Sequence, residues 1–221
     1  ILFIYDAKMT NPNGDMDNEN KPRMVYDTDT NLVSDVRLKR YLRDYFEKQL
    51  EKPIFVTEKA KDAKDRAAQF KGEGISSHKD LIDCRMFGAV FAATGGSDHL
   101  TGPVQFNWGY SLNRVELNDS TTITSSFSSG EGVGKDFRVK YSVIAFSGGI
   151  NARTAESTGL SDDDVAIFDK AMINAIPFCR TRSKIGQFPR LYLRVEFVDN
   201  RTFLKDLREY ISLEPDDEDR L

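Results

Sequence analysis

The chain has 221 residues, of which 39% are hydrophobic, and it carries a net charge of −4 at pH 7. Its 15 Phe and 8 Tyr residues complete a composition that indicates a folded protein, with one large domain or two small ones, and excludes an intrinsically disordered chain. Apolar runs stay well short of the roughly 20 residues that span a bilayer, so we expect no membrane partner. The acidic pI, near 5.4, argues against indiscriminate nucleic-acid binding, so an anion would have to bind at a local basic patch.

The cysteines and histidines do not form a pattern typical of catalysis or metal binding. Cys84 and Cys179 lie far apart without a CxxC spacing, so neither a disulfide framework nor a structural zinc site is predicted, and we expect a cytoplasmic location. Cys84 falls in an apolar segment, where an inert core thiol is favoured. His78 and His99 lack the paired spacing of metal ligands. We therefore predict no cofactor, no bound metal and no catalytic residue.

Six segments have the periodicity of a strand or a helix. In chain order they are a strand at 1–8, a helix at 33–50, strands at 102–112 and 137–146, a helix at 160–176 and a strand at 190–198. Ser34 or Asn31 could cap the first helix and Ser161 the second. The order β-α-β-β-α-β is the split arrangement of the ferredoxin-like fold, so the predicted fold class is α+β.

Long stretches interrupt this plan. Residues 51–101 contain two further predicted helices, at 59–70 and 80–92, and residues 113–136 are too long for a hairpin turn and end in a run rich in Gly and Ser. Loops of this length inside a domain are usually functional or disordered. A third stretch, 9–31, is polar and follows the first strand directly.

The first predicted helix carries an unusual concentration of positive charge. Four cations occupy two helical turns, against only two acids, at a spacing of three and four residues that predicts one broad shared face. A solvated surface helix whose basic side chains cover apolar surface would give the same composition as a helix that contacts phosphate. Composition leaves both interpretations open. The cations are Arg37, Lys39, Arg40 and Arg43.

A second basic run lies between residues 180 and 194, with five cations and no acid. It could be a charged loop that leads into the last strand. Its hydroxyl groups and Gly186 would equally suit contacts with phosphate or sugar. Two basic segments that flank one sheet make a polyanion partner a stronger hypothesis than either segment alone.

Several other motifs do not support a functional interpretation. Aromatic residues alternate on the second predicted strand around Trp108, but most are expected in the core, and the signature of RNA-stacking sheets is absent. The GEGVGK run lacks the first glycine of a phosphate-binding loop, and the acidic run after Asp15 lacks the Gly and Glu of a calcium loop. Asp15, Asp17, Asp27 and Asp29 could gather a divalent metal for phosphodiester cleavage, although a polar loop is the favoured interpretation.

The longer motifs of the chain resemble one protein family. They run in the same order over nearly the whole sequence, and they are similar to the backbone subunit of the CRISPR complex Cascade, most closely its type I-B version. The motifs are TNPNGDMDNEN, SDVRLKRYLRDYF, LIDCRMFGAVFA, TGPVQFNWGYSLN, ITSSFSSGEGVGKDFRVKYSVIAFSGGINARTAESTGLSDDDV and TRSKIGQFPRLYLRVEF.

The resemblance implies a fold and a function. It implies a single modified RRM-like palm over residues 1–221, with finger-like insertions at 9–31 and 51–101 and a thumb β-hairpin at 113–136. It implies a non-catalytic subunit that polymerises in many copies along the guide RNA (crRNA), holds its phosphate backbone and leaves its bases free to pair with target DNA in antiviral defence. Implied partners are the crRNA, the target strand, other copies of the chain, and the large, small and guide-end-binding subunits. Type III relatives supply an alternative, a metal-dependent ribonuclease that would use Asp27 or Asp29.

The resemblance also implies which residues meet the RNA. The basic helix matches the guide-contacting helix of the family, and Arg40 is the cation most expected to touch phosphate. Phe127 falls in the thumb, where an apolar wedge is expected. The remaining residues lie on the polar loop, the third strand and the TRSK turn, and they are Asn11, Asn13, Lys21, Arg23, Arg138, Lys140, Arg180, Arg182, Ser183 and Lys184.

Overall fold

A computed structural model provides the structure of the protein and describes residues 1–93, 96–119, 121–124, 133–199 and 202–214. Its elements in chain order are β1 Leu2–Thr10, β2 Gly14–Asp15, β3 Lys21–Val25, β4 Thr30–Val33, α1 Asp35–Lys48, α2 Ala63–Glu73, α3 Ile82–Phe87, β5 Gly88–Ala93, β6 Gly96–Thr101, β7 Val104–Phe106, β8 Gly109–Ser111, β9 Thr122–Thr124, β10 Val133–Lys135, β11 Val139–Ile150, α4 Ala152–Thr158, α5 Asp162–Phe178 and β12 Gln187–Leu193. Short 3₁₀ turns cover His78–Asp80 and Leu207–Tyr210.

The main sheet is antiparallel throughout and has the spatial order β12-β1-β11-β8-β4-β3-β2, with β7 also paired to β11. The strands predicted from the sequence therefore lie side by side in the order last, first, third, second. The α+β class and the antiparallel sheet are confirmed. Strands β2, β3 and β4 extend this sheet, so the polar stretch 9–31 contains strands that its composition did not predict.

Helices α1 and α5 pack on one face of the sheet because each has an apolar stripe that must be buried. Ser34, one of the two predicted caps of α1, accepts a hydrogen bond from the backbone N–H of Arg37 at 3.2 Å. Ser161 caps α5 in a capping box with Asp164. The largest fully buried side chains between helices and sheet are Phe3, Tyr5, Leu38, Tyr41, Leu42, Phe46, Phe146 and Phe168.

The insertion at 51–101 differs from the prediction of two helices. The first exists as α2, but the second, predicted over 80–92, ends at Phe87, and the chain continues as β5, which pairs with β6. Gly88 adopts φ 74°, a left-handed conformation that stops a helix and that only glycine enters without strain. Cys84 is fully buried in α3, and its burial raises its thiol pKa, as an inert core thiol would show.

Two of the predicted strands have different limits in the structure. The strand expected at 102–112 is split into β7 and β8 around Asn107 and Trp108, and Trp108 is 43% exposed while Phe106 is buried. The last strand spans 187–193 and not 190–198, because it starts directly after the turn at Gly186. Helix α4 had no counterpart among the predicted elements.

Within the stretch 113–136, β9 and β10 form an antiparallel pair, with Thr124 opposite Val133. The residues between them, 125–132, are not among those that the structure describes, and they include Phe127. In the part of the chain that is described, no helix is long and apolar enough to cross a membrane.

Candidate nucleic-acid interface

Three polar segments meet at the C-terminal end of β1. They are residues 9–13, 136–138 and 180–186, and we call them the loop junction. The backbone N–H of Lys8 donates to the carbonyl of Gly186 at 3.0 Å. Gly186 has φ 105°, and a Cβ there would come within 2.8 Å of the Lys8 carbonyl oxygen, so this close approach requires glycine.

Two more hydrogen bonds tie the segments together. The backbone N–H of Asn11 donates to the carbonyl of Ser183 at 3.0 Å, which joins the first loop to the TRSK turn. The Arg138 guanidinium donates through Nη1 to the carbonyl of Met9 at 2.8 Å, which joins the same loop to the start of β11. The structure thus brings together residues that lie more than 100 positions apart in sequence, because β1 pairs with both β11 and β12.

Lys184 sits inside this junction as a half-buried cation. Its ammonium group donates to the carbonyls of Asn11 and Pro12, the latter at 3.1 Å. Burial, together with the positive charge of Arg37, lowers the pKa of Lys184 to about 7. The two carbonyls accept hydrogen bonds from the ammonium group, which has three donors, but they do not neutralise its positive charge.

Arg37 is the neighbouring cation, at the N-terminal end of α1. Its guanidinium lies 4.0 Å from the centroid of the Tyr41 ring, and Nη2 lies 3.9 Å from the sulfur of Cys179. Among the described residues, no carboxylate lies within ion-pair distance of Arg37 or of Lys184. A pair of neighbouring cations without a counter-charge is electrostatically unfavourable in the isolated chain and is suited to receive an anion.

Asn13 links the same loop to helix α1. Its side-chain oxygen accepts hydrogen bonds from the backbone N–H and the hydroxyl of Ser34, at 2.8 and 2.9 Å, and its carbonyl accepts from the N–H of Arg23 at 3.1 Å. Arg23 is ion-paired with Asp15 at 3.1 Å, and Lys21 lies 4.9 Å from the Phe137 ring centroid. The polar loop residues named from the sequence therefore surround the loop junction.

One carboxylate does belong to the junction. Oδ2 of Asp136 accepts from Nε of Arg138 at 2.9 Å and from Nη1 of Arg182 at 3.3 Å. The side chain of Arg182 is 65% exposed. Beyond these, Arg180 lies exposed at the start of the same turn, and Lys140, two positions after Arg138, pairs with Glu116 at 2.9 Å.

The other cations of α1 lie against carboxylates on a different side of the helix, which we call the α1–α3 flank. Lys39 pairs with Asp35 at 3.1 Å and donates to the side chain of Gln105 at 3.0 Å. Nε of Arg43 donates to the fully buried Asp83 at 2.9 Å. Both cations are 9% exposed. The α1–α3 flank therefore resembles the interior of a fold more than a binding surface.

Arg40 lies between the two groups, bridging Asp44 and Glu58 at 2.8 Å each. The prediction that the four cations of α1 share one face is thus wrong, because Arg37 faces the loop junction while Lys39 and Arg43 face α3. Whether Arg40 touches phosphate stays a prediction, and so does the role of Phe127, which lies outside the described residues.

Two residues of this site, Asp136 and Cys179, contact the cations and were not predicted from the sequence as their partners. Asp136 carried a usable signal, since an acid two positions from an arginine is close enough along the chain for the two side chains to pair. Cys179 carried no signal in the sequence, because its contact with Arg37 depends on how α5 packs against α1. In the described ranges, no group of three or more His, Cys, Asp or Glu side chains is arranged to hold a metal ion.

Fold and site together define an α+β protein whose antiparallel sheet carries a basic loop junction at the C-terminal end of β1. The family model for CRISPR-associated protein Cas7 matches residues 1–220. A CRISPR-associated protein Cas7 from Haloferax volcanii is 32% identical over 260 residues, covering 100% of this chain and 76% of that protein. The chain belongs to the CRISPR-associated Cas7 family, which confirms the family that the sequence motifs indicated.

Two solved structures are also similar. A chain of a CRISPR RNA-guided surveillance complex in a pre-nicking state has a TM-score of 0.47 and 15% identity, covering 95% of this chain and 86% of its own length. A chain of a second CRISPR RNA-guided surveillance complex has a TM-score of 0.45 and 17% identity, covering 90% of this chain and 73% of its own length.

Proposed function

We propose that this chain is a non-catalytic, guide-RNA-binding backbone subunit of a CRISPR surveillance complex. Membership of the Cas7 family sets the biological context. The observation that carries the proposal is the pair Arg37 and Lys184, two neighbouring cations that no described carboxylate neutralises. A phosphodiester backbone supplies the missing negative charge, and it does so at every nucleotide, whatever the sequence.

The surroundings of this pair suit an RNA backbone. Arg180 and Arg182 lie on the same turn with Arg182 exposed, and Ser183 offers a hydroxyl that can bond phosphate or ribose. These groups read charge and shape but no base identity. Sequence recognition is left to pairing between guide and target, as in other RNA-guided complexes.

The proposal assigns a part to each segment. The main sheet with α1 and α5 is the RRM-like palm, the insertion 51–101 forms fingers together with the loop at 9–31, and the β9–β10 pair is the base of the thumb. Copies of the chain polymerise along the crRNA, with the large, small and guide-end-binding subunits and the target DNA strand as further partners. Phe127 would act as an apolar wedge in the thumb.

Binding of single-stranded RNA by the purified chain tests the central claim. Fluorescence anisotropy with labelled RNAs of different sequence should show similar affinities for all of them and a steep dependence on salt. Arg182→Glu should weaken binding about tenfold or more for every sequence. Lys170→Glu is the matched control, because Lys170 is an exposed cation on α5 outside the loop junction, and it should change affinity little. Equal affinities for Arg182→Glu and wild type would contradict the proposed interface.

Assembly and catalysis need a separate experiment. The complex purified with its RNA should have a mass that fits several copies of this chain per guide. Incubation of that complex with complementary RNA and Mg²⁺ should leave the RNA intact. Cleavage that Asp29→Ala abolishes would replace the proposal with the ribonuclease alternative.

A further inference from the structure

Asp136 occupies an unusual position for a carboxylate at a site that takes an anion. Its Oδ2 lies 2.9 and 2.8 Å from Nε and Nη2 of Arg138, and 3.3 Å from Nη1 of Arg182. The two arginines come from different segments, the start of β11 and the TRSK turn. One carboxylate therefore holds two cations whose backbones are more than 40 residues apart in sequence.

Asp136 is itself held firmly. Its backbone N–H donates to the carbonyl of Thr121 at 2.6 Å, and its carbonyl accepts from the Asn118 side chain at 3.0 Å. The same Asn118 accepts from the backbone N–H of Arg138 at 2.7 Å. The side chain of Asp136 is only 15% exposed, so its carboxylate has a defined place from which to orient both guanidinium groups.

Both arginines keep donors for a ligand. A guanidinium has five N–H donors, and Arg138 uses some of them on Asp136 and one on the carbonyl of Met9. Arg182 places a single nitrogen on Asp136, and its side chain is 65% exposed. Two cations and one carboxylate leave a net positive charge, so the group attracts an anion while the carboxylate restricts where its donors point.

We propose that Asp136 is a positioning residue that holds Arg138 and Arg182 in the orientation that binds the RNA phosphodiester backbone. The inference rests on the proposed function and adds a residue to it. It contradicts the simplest electrostatic expectation, since removing a negative charge beside an RNA site should strengthen binding. A positioning role predicts weaker binding. Without Asp136, the two long arginine side chains would be free in the unbound protein and would have to be ordered when RNA binds.

The test is Asp136→Ala in the full chain, with binding of a labelled single-stranded homopolymer RNA followed by anisotropy. We expect affinity to fall about three- to tenfold, and the slope of log affinity against log salt to become shallower by about 0.7 for each phosphate that the protein no longer neutralises. Asp136→Glu, which keeps the carboxylate, should recover most of the affinity. In an Arg182→Ala background the effect of Asp136→Ala should shrink, because one of the two oriented side chains is already gone.

Glu19→Gln is the matched control. Glu19 is an exposed carboxylate near the base of the β9–β10 pair, and its ion pairs are with lysines, Lys135 at 2.6 Å and Lys21 at 3.7 Å. Removing its charge should leave RNA affinity equal or slightly higher. If Asp136→Ala also bound RNA equally or more tightly, with an unchanged salt slope, the positioning role would be refuted while the proposed function stood. Failure of the wild-type chain to bind RNA would instead refute the proposed function.

If Asp136→Ala does not fold, as judged by its thermal transition, Arg182→Lys replaces it. Arg182→Lys keeps the charge but removes the planar guanidinium that Asp136 orients. An affinity about threefold or more below that of wild type supports the inference. An affinity like that of wild type overturns it, because charge alone would then account for binding.

Discussion

Helix α1 directs basic side chains both to the loop junction and to the α1–α3 flank, and the two regions differ in what neutralises these cations. At the α1–α3 flank, Lys39 and Arg43 are buried against Asp35 and Asp83. At the loop junction, Arg37 has an aromatic ring and a thiol for neighbours. A basic cluster in a sequence can therefore contain both cations that stabilise the fold and cations that await a ligand.

Burial alone does not distinguish these two kinds of cation, because Arg37 and Lys184 are also withdrawn from solvent. The presence or absence of a carboxylate partner distinguishes them. A buried ion pair costs several kcal/mol when one partner is removed, because the other charge stays buried without compensation. Removing a buried cation that has no such partner costs little, since its charge was never compensated.

The largest expected effect is on stability, at the α1–α3 flank. Arg43→Met should lower the free energy of unfolding by about 3–5 kcal/mol, because the fully buried Asp83 would lose its ion-pair partner and be left with only the N–H groups of Phe55 and Val56 as donors. Urea denaturation followed by circular dichroism measures it. Lys48→Met, on an exposed part of the same helix, is the control and should leave the midpoint nearly unchanged. A change below about 1 kcal/mol for Arg43→Met would remove the distinction between the two regions.

The second expected effect is on RNA affinity, at the loop junction. Arg37→Met keeps an unbranched side chain against Tyr41 but removes the charge, so the free energy of unfolding should stay within about 1 kcal/mol of wild type. RNA affinity should fall about tenfold, the value of one charge-assisted hydrogen bond. Anisotropy measures the RNA affinity, and urea denaturation of the same preparation measures the free energy of unfolding. A large drop in stability with unchanged affinity would show that Arg37 belongs with Lys39 and Arg43.

The smallest expected effect is the pH dependence that Lys184 confers. Its pKa of about 7 in the folded chain lies below the ordinary value of 10.5, because of burial and of Arg37, with Cys179 acting in the opposite direction. Between these two pH values the unfolded chain holds more protons, so the contribution of Lys184 to stability rises with pH. Phosphate favours the ammonium form, so RNA affinity should fall as the pH rises above about 7.

The two trends from Lys184 have opposite signs, which makes them separable. Affinity should fall several-fold between about pH 7 and about pH 8.5 in wild type and stay flat over that range in Lys184→Arg, which keeps its charge. Anisotropy at constant ionic strength measures both. Parallel pH profiles for wild type and Lys184→Arg would assign the dependence to another group.

Much of the fold was predictable because its signals are local. The stripes of α1 and α5, with Ser34 and Ser161 as caps, are fixed by residues within a turn of one another. The α+β class followed from the β-α-β-β-α-β pattern. Gly88 was the missed signal within 80–92, since apolar composition is the same in a helix and in a buried strand and only the glycine marked the change.

The site was less predictable for a physical reason. Sequence spacing placed the cations of α1 within two turns, but the partners that distinguish them include Asp83 of α3, Glu58 of the loop before α2 and Cys179 at the end of α5. Asp83 and Cys179 contact α1 only after those segments have packed, so no pattern within the helix could separate Arg43 from Arg37. The resemblance of the motifs to a known family indicated the set of site residues. The contacts between distant segments then showed which of these cations face the loop junction and which are paired with carboxylates.

The position of β1 between β11 and β12 has a consequence for how the protein is made. Leu2 pairs with Ser147 on one side and with Leu193 on the other, so the two partner strands of β1 are synthesised roughly 145 and 190 residues after it. At about 5–20 residues per second, its second neighbour appears some 10–40 seconds after it. Until β11 emerges, the apolar residues of β1 have no neighbouring strand of this sheet to pair with, and an unpaired apolar strand is prone to aggregate.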